Sequence, residues 1–131
     1  MQKKVRWSFS VEVANGPKVA VSRMLMDVDT YDHIEAVIPA AAEKFKVKVQ
    51  PSATSELSLV VVSSSHYADS ITYQLKSADD ADKLVLDQPH LFVGKGGVGI
   101  LGGTVKDFYF SNDLAEDIAV QVLVARKASE G

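Results

Sequence analysis

The sequence predicts an α+β fold: an N-terminal β-hairpin, an antiparallel sheet of about five strands, and a C-terminal helix that packs across a homodimer. Three observations carry this expectation. Residues 4-KVRWSFSVEV-13 alternate, with Val5, Trp7, Phe9 and Val11 on one face and Arg6, Ser8, Ser10 and Glu12 on the other. Asn15-Gly16 follows, a two-residue hairpin signal because both residues tolerate positive φ, and 18-KVAVSRMLMDV-28 returns. At the far end, 112-NDLAEDIAVQVLVARKASEG-131 has acidic residues first and basic residues last, the polarity that matches a helix dipole.

Each element follows from local pattern. Asp29 or Thr30 caps a helix over 31–43, where Ile34, Val37, Ile38 and Ala41 recur at helical spacing and Pro39 marks a break. Strand-like runs come next at 44–50, 56–62 and 70–76, separated by turn-forming 51–55 and 63–69. After the acidic turn 78-ADDAD-82, the run 84-LVLD-87 forms a short strand. A glycine-rich loop spans 94–103, and 104-TVKDFYF-110 is the next strand. In the last segment Asp113 and Glu116 have capping-box spacing. Leu114, Ile118, Val122 and Ala125 make one helix face, which Val120 and Val124 extend. That much apolar surface on one helix predicts packing onto a partner's sheet.

The 131 residues fit one domain, 1–131. Without cysteine there is no disulfide, thiolate ligand or Cys nucleophile. No apolar run approaches the ~18 residues that span a bilayer, and MQKKVRWSFS turns polar at once, unlike a signal peptide. The sequence thus predicts a soluble protein made in the cytoplasm, with no membrane partner.

Several motifs invite chemistry and lack its context. Gly94, Gly96, Gly97 and Gly99 satisfy GxGxxG, but Ile100-Leu101-Gly102-Gly103 and then a strand follow, so no helix N-terminus is positioned for a pyrophosphate. His33, His66 and His90 are scattered, which predicts no metal site. Ser63-Ser64-Ser65-His66 with Asp69 reads as a polar turn, and Asp79, Asp80 and Asp82 as a solvated one. No catalytic residue and no cofactor is expected. Trp7 and Phe9 read as core. Phe108, Tyr109 and Phe110 occupy both faces of their strand, so at least one meets something besides this core.

The most informative pattern is a row of lysines. Lys44, Lys46 and Lys48 fall at every second position, opposite Phe45, Val47 and Val49. Thr72, Gln74 and Lys76 form a polar row on another strand. If the strands are neighbours, one sheet face is polar and locally basic although the chain has a formal net charge of −3. Such a face suits phosphates and single-stranded bases. On its own the row also fits a solvated face or a protected edge.

Pro39-Ala40, Glu43-Lys44 and the alternating valines that end in Gln50-Pro51-Ser52 resemble a stretch of the coat proteins of single-stranded RNA bacteriophages, the levivirus group. The aromatic strand 104–110 running into Ser111-Asn112-Asp113, an acidic turn and an apolar helix resembles their ending. The resemblance implies a viral capsid protein: a homodimer whose C-terminal helices interlock, which closes into an icosahedral virion shell in the bacterial host cytoplasm. It also implies packaging of single-stranded RNA, and repression of replicase translation through a genomic hairpin. Lys44, Lys46, Lys48, Thr72, Gln74 and Lys76, with Lys106 or Tyr109, would line the RNA-facing side. Gly94, Gly96, Gly97, Gly99, Gly102 and Gly103 would gather at the shell axes. The alternative is a small ligand-binding or enzymatic α+β domain that uses the Gly94–Gly103 loop as an anion site.

Overall fold

The computed structural model describes residues 3–75, 83–105 and 107–127. It opens with an antiparallel ribbon, β1 (Lys3–Glu12) paired to β2 (Lys18–Val28). Asn15 takes φ 61° at the turn, and the Gly16 N–H closes it by donating to the Val13 carbonyl at 2.7 Å. The apolar residues of β1 share one face of the ribbon. Near its base Val5, Met26 and Val28 pack with Leu59, Val61 and Leu123 of the main body. A β-bulge between Trp7 and Phe9 separates this base from the tip.

The main body is almost entirely antiparallel sheet. One sheet has the order β3-β12-β6-β9, from β3 (Thr30–Ile38), β12 (Ile118–Arg126), β6 (Leu57–Ser64) and β9 (His90–Val93). The other has the order β4-β11-β7-β8, from β4 (Phe45–Val47), β11 (Phe108–Asn112), β7 (Ile71–Gln74) and β8 (Leu84–Val85).

The pairing has a simple logic. Taken in chain order, the first of these eight strands pairs with the eighth, the second with the seventh, the third with the sixth and the fourth with the fifth. The chain is therefore one long nested hairpin. Wrapping that ribbon brings the eighth strand against the third and the seventh against the fourth. The short ladder of β5 (Ser52–Ala53) with β10 (Thr104–Val105) carries the ribbon from one sheet to the other. This is a jelly roll, two four-stranded sheets packed face to face around one core.

The core lies between the sheets. Ile38, Val60, Val62, Val120, Val122 and Val124 of one sheet meet Val47, Ile71, Tyr73, Phe108 and Phe110 of the other. Phe108, Phe110 and Tyr73 form a ring cluster with centroids 5.5–6.1 Å apart. Tyr73 also bridges the layers, because its hydroxyl is hydrogen-bonded to Nδ1 of His90.

Three expectations are corrected here. The α+β class gives way to a β-sandwich, because residues expected to form a C-terminal helix form β12. Ile118, Val120, Val122 and Val124 all point into the core, and Ala125 is buried beneath the hairpin base. A spacing of four residues fits both a helix face and a strand face; the β-branched run favours the strand. Second, the segment expected as a helix over 31–43 begins with β3, with Ile38 buried and Val37 exposed, and Pro39 follows the strand's end. Third, the glycine loop is a short helix, α1 (Gly94–Gly99), although glycine costs about 1 kcal/mol relative to alanine at each helical position. Val98 anchors it, being fully buried in the core.

A candidate nucleic-acid-facing sheet surface

The second sheet turns one face to the core and the other outward. Along β11, Phe108 and Phe110 point in, so Tyr109 and Ser111 point out. Register then decides which polar residues meet. Lys46 of β4 and Gln74 of β7 lie opposite Tyr109 from its two sides. Thr72 lies opposite Ser111, and the Lys44 N–H donates to the Ser111 hydroxyl at 3.2 Å. The fold thus gathers Lys44, Lys46, Thr72 and Tyr109 onto one outer surface, with Gln74 on the same side of the sheet but buried.

This surface differs from the expected lysine row in four ways. Lys44 sits before β4 with φ 53°, a left-handed conformation, so strict alternation fails there and Phe45 is partly exposed. Lys48 is exposed but follows the strand. Gln74 is only 2% exposed, so it cannot lie open to a ligand. Lys46 is not a free charge, since its Nζ lies 3.3 Å from the Asp107 carboxylate. Lys76 and Lys106 lie outside the described residues.

A cleft of about 380 Å³ opens at one end of this face. Lys44 and Lys83 reach it, with the hydroxyl residues Ser70, Thr72 and Ser111 and the carboxylates of Glu43 and Asp113. Lys83 had no distinguishing pattern in the sequence; only the pairing of β8 with β7, which brings it to the cleft beside Thr72, reveals it. The cleft offers ammonium and hydroxyl donors, with carboxylates beside them. That mixture can hydrogen-bond a phosphate oxygen together with a sugar or base edge.

The cleft owes its shape to Asn112, a buried residue that the sequence did not mark. Its Nδ2 donates to the carbonyls of Ile38, Pro39 and Glu116 at 3.3, 3.1 and 2.9 Å, and its Oδ1 accepts the Leu114 N–H at 3.0 Å. One side chain thereby fixes the end of β3 against the turn that follows β11.

The expected dimer face does not form. Leu114 packs on the core, Ile118 and Val122 lie within it, and Ala125 is buried on the opposite side of β12. Ile118, Val122 and Ala125 are closed to a partner, and Leu114 is partly buried. The glycines of 94–103 stay together: Gly94, Gly96, Gly97 and Gly99 lie in α1, and Gly102 and Gly103 follow it with φ 66° and 62°. A neighbouring cleft of about 220 Å³ carries Lys95, Lys127 and Glu56.

Other chemistry is weaker. Ser65 Oγ lies 2.9 Å from His66 Nδ1, and His66 Nε2 lies 3.4 Å from Glu116, not Asp69. The Ala119 N–H donates to that same hydroxyl at 3.0 Å, so it is not free to hold an oxyanion. Ser65 instead ties the β6 turn to β12. Among the described residues no group of three or more His, Asp or Glu side chains is placed to hold a metal ion. No helix there is long and apolar enough to cross a membrane. The chain matches no protein-family model, no curated protein and no solved structure.

Proposed function

We propose that this protein is a structural subunit of the coat type, which associates with copies of itself into a shell and turns its β4-β11-β7-β8 face toward single-stranded RNA. The observation that carries the reading is the gathering of Lys44, Lys46, Thr72 and Tyr109 on the outside of one jelly-roll sheet. Jelly rolls serve in viral capsids as well as in lectins and cupins, so the fold permits the role without requiring it. A half-buried aromatic, Tyr109, beside Lys46 offers a stacking surface next to a phosphate donor. Modest charge per subunit is enough when a shell repeats it in every copy. The helical interlock implied by the phage-coat resemblance is not part of this proposal, because β12 is a core strand.

The test is negative-stain microscopy of the recombinant protein, with its ultraviolet absorbance ratio measured on the same fraction. Uniform closed particles with nucleic-acid absorbance are expected. A small, nucleic-acid-free species at all concentrations would overturn the reading.

A further inference from the structure

We infer that the tip of the β1–β2 arm docks its apolar face on the outer face of the β3-β12-β6-β9 sheet of a second copy of this chain. The inference rests on the reading of the protein as a self-associating subunit and names the contact.

The arm is amphipathic along its whole length. Register places Val5 opposite Met26, Phe9 opposite Val21 and Val11 opposite Val19, so one face is apolar on both strands. Only the base of that face is covered. Beyond the bulge, Phe9 is 38% exposed, and Val11, Val13 and Val19 are 58–60% exposed. A two-stranded ribbon is at best marginally stable alone in water. An extended tip carrying four exposed apolar side chains needs a surface to lie on.

The covered half shows which surface suits it. Val5, Met26 and Val28 already lie on Leu59, Val61, Leu123 and Ala125, which belong to the outer side of the β3-β12-β6-β9 sheet. That outer side continues past the base and remains open. Val37 of β3 is 59% exposed and Leu91 of β9 is 45% exposed. Between them runs a groove of about 460 Å³ in which the apolar Val37 and Ala119 lie beside Glu35, Gln121 and the serines at 63–65. The tip is therefore an apolar ribbon of the same kind as the one its own sheet accepts, and the sheet has room for another. The bulge marks where the arm leaves its own body; bulges bend a ribbon and increase its twist.

Area sets the stoichiometry. Strand spacing near 4.8 Å and a rise near 3.4 Å per residue give the tip a face of about 10 by 20 Å. One docked tip is too small for a stable contact. Two reciprocal tips reach roughly 1,000 Å² once side-chain relief is counted, the size at which a specific interface begins. The arms therefore exchange in a pair, each lying on the other's sheet.

The absence of cysteine makes the test direct. Val11→Cys and Val37→Cys are prepared separately, mixed, and oxidised under mild conditions. The mixture is expected to give a disulfide-linked pair on a non-reducing gel, and neither variant alone is. A pair from Val11→Cys alone would place tip against tip and overturn the inference. So would a single-chain mass by light scattering for the wild type at about 100 µM, a concentration well above the ~µM dissociation constant of a modest interface. A Val11→Lys/Val19→Lys variant is expected to scatter as a single chain while its unfolding midpoint stays within a few degrees of wild type. If that variant remains paired, the inference fails even where cross-linking succeeds. A cross-linked pair that never grows into particles keeps the arm exchange and removes the shell.

Discussion

Nη2 of Arg126 lies 2.8 Å from Oδ2 of Asp32, which ties the last residue of β12 to β3 through an ion pair whose guanidinium is buried and whose carboxylate reaches solvent. The guanidinium is otherwise satisfied, with Nε donating to the Ser52 hydroxyl at 2.9 Å and Nη1 to the Thr30 hydroxyl at 3.2 Å. Asp32 also accepts the Gln50 N–H at 3.0 Å. One side chain thus joins β3, β5 and β12 where the two sheets approach each other.

Removing one partner of this pair leaves the other charge poorly compensated. Asp32→Leu is expected to cost about 3 kcal/mol, because the guanidinium it strands is buried, and Arg126→Met less, because Asp32 reaches solvent. The double variant is expected to recover much of the loss, because two apolar groups replace two desolvated charges. Urea unfolding of the four proteins measures the coupling.

The same pair has a pH signature. Burial raises the Asp32 pKa, but the Gln50 N–H and the Arg126 guanidinium outweigh it, so the net shift is downward. A carboxylate with a depressed pKa contributes stability above its unfolded value, and that contribution is lost as pH falls through the folded value. The stability gap between wild type and Asp32→Asn is therefore expected to be constant near neutrality and to close below about pH 4. A gap that widened in acid would contradict the assignment.

Tyr73 gives the opposite window. Its burial pushes the phenol well above the ordinary tyrosine range. The contribution is present below about pH 10 and is lost as pH rises beyond it. Absorbance at 295 nm should show one of the four tyrosines ionising only as the protein unfolds, and Tyr73→Phe should remove that step.

Asn112→Leu leaves four backbone groups without their side-chain partner. A loss of about 2–3 kcal/mol is expected, visible as a fall in melting temperature of roughly 10 °C. Thermal denaturation of the purified variant checks it.

Val122 separates two accounts of the C-terminal segment. On a helix face it would govern dimerisation, and a charge there would abolish dimers. In β12 it is fully buried, so Val122→Asp is expected to abolish folding itself, seen as lost soluble expression and a collapsed circular-dichroism spectrum.

These residues also show what the sequence could disclose. The hairpin was legible because Asn15-Gly16 and the alternation of Val5 to Val11 report local geometry. The polar face was legible in part: Lys46, Tyr109, Gln74 and Thr72 share a surface because strand parity is a local rule. Burial of Gln74 was not legible, since it depends on neighbours remote in the chain. The strand at 118–126 was misread because residues four apart share a face in both periodicities, and acidic and basic ends imitate a helix dipole. Arg126 was read as a helix-terminal charge, because nothing near it in sequence reveals that Asp32, 94 positions away, will meet it. The free tip of the hairpin was equally hidden, since an apolar strand face predicts burial without saying in which molecule.

The nesting of the eight strands has a consequence for how the chain folds. β12 is the central neighbour of both β3 and β6, and Thr30 pairs with Arg126, 96 positions away. Until residues 118–126 are available, β3 and β6 lack the strand that joins them, and their ladders stay open to other chains. Few contacts reward the early closure of such long loops, so folding is expected on the millisecond-to-second scale of high-contact-order β proteins. During synthesis the chain spends most of its time as an incomplete ribbon with β-branched strands unpaired. β12, the last of the eight strands to emerge, completes the β3-β12-β6-β9 sheet and closes the aggregation-prone interval at the same moment.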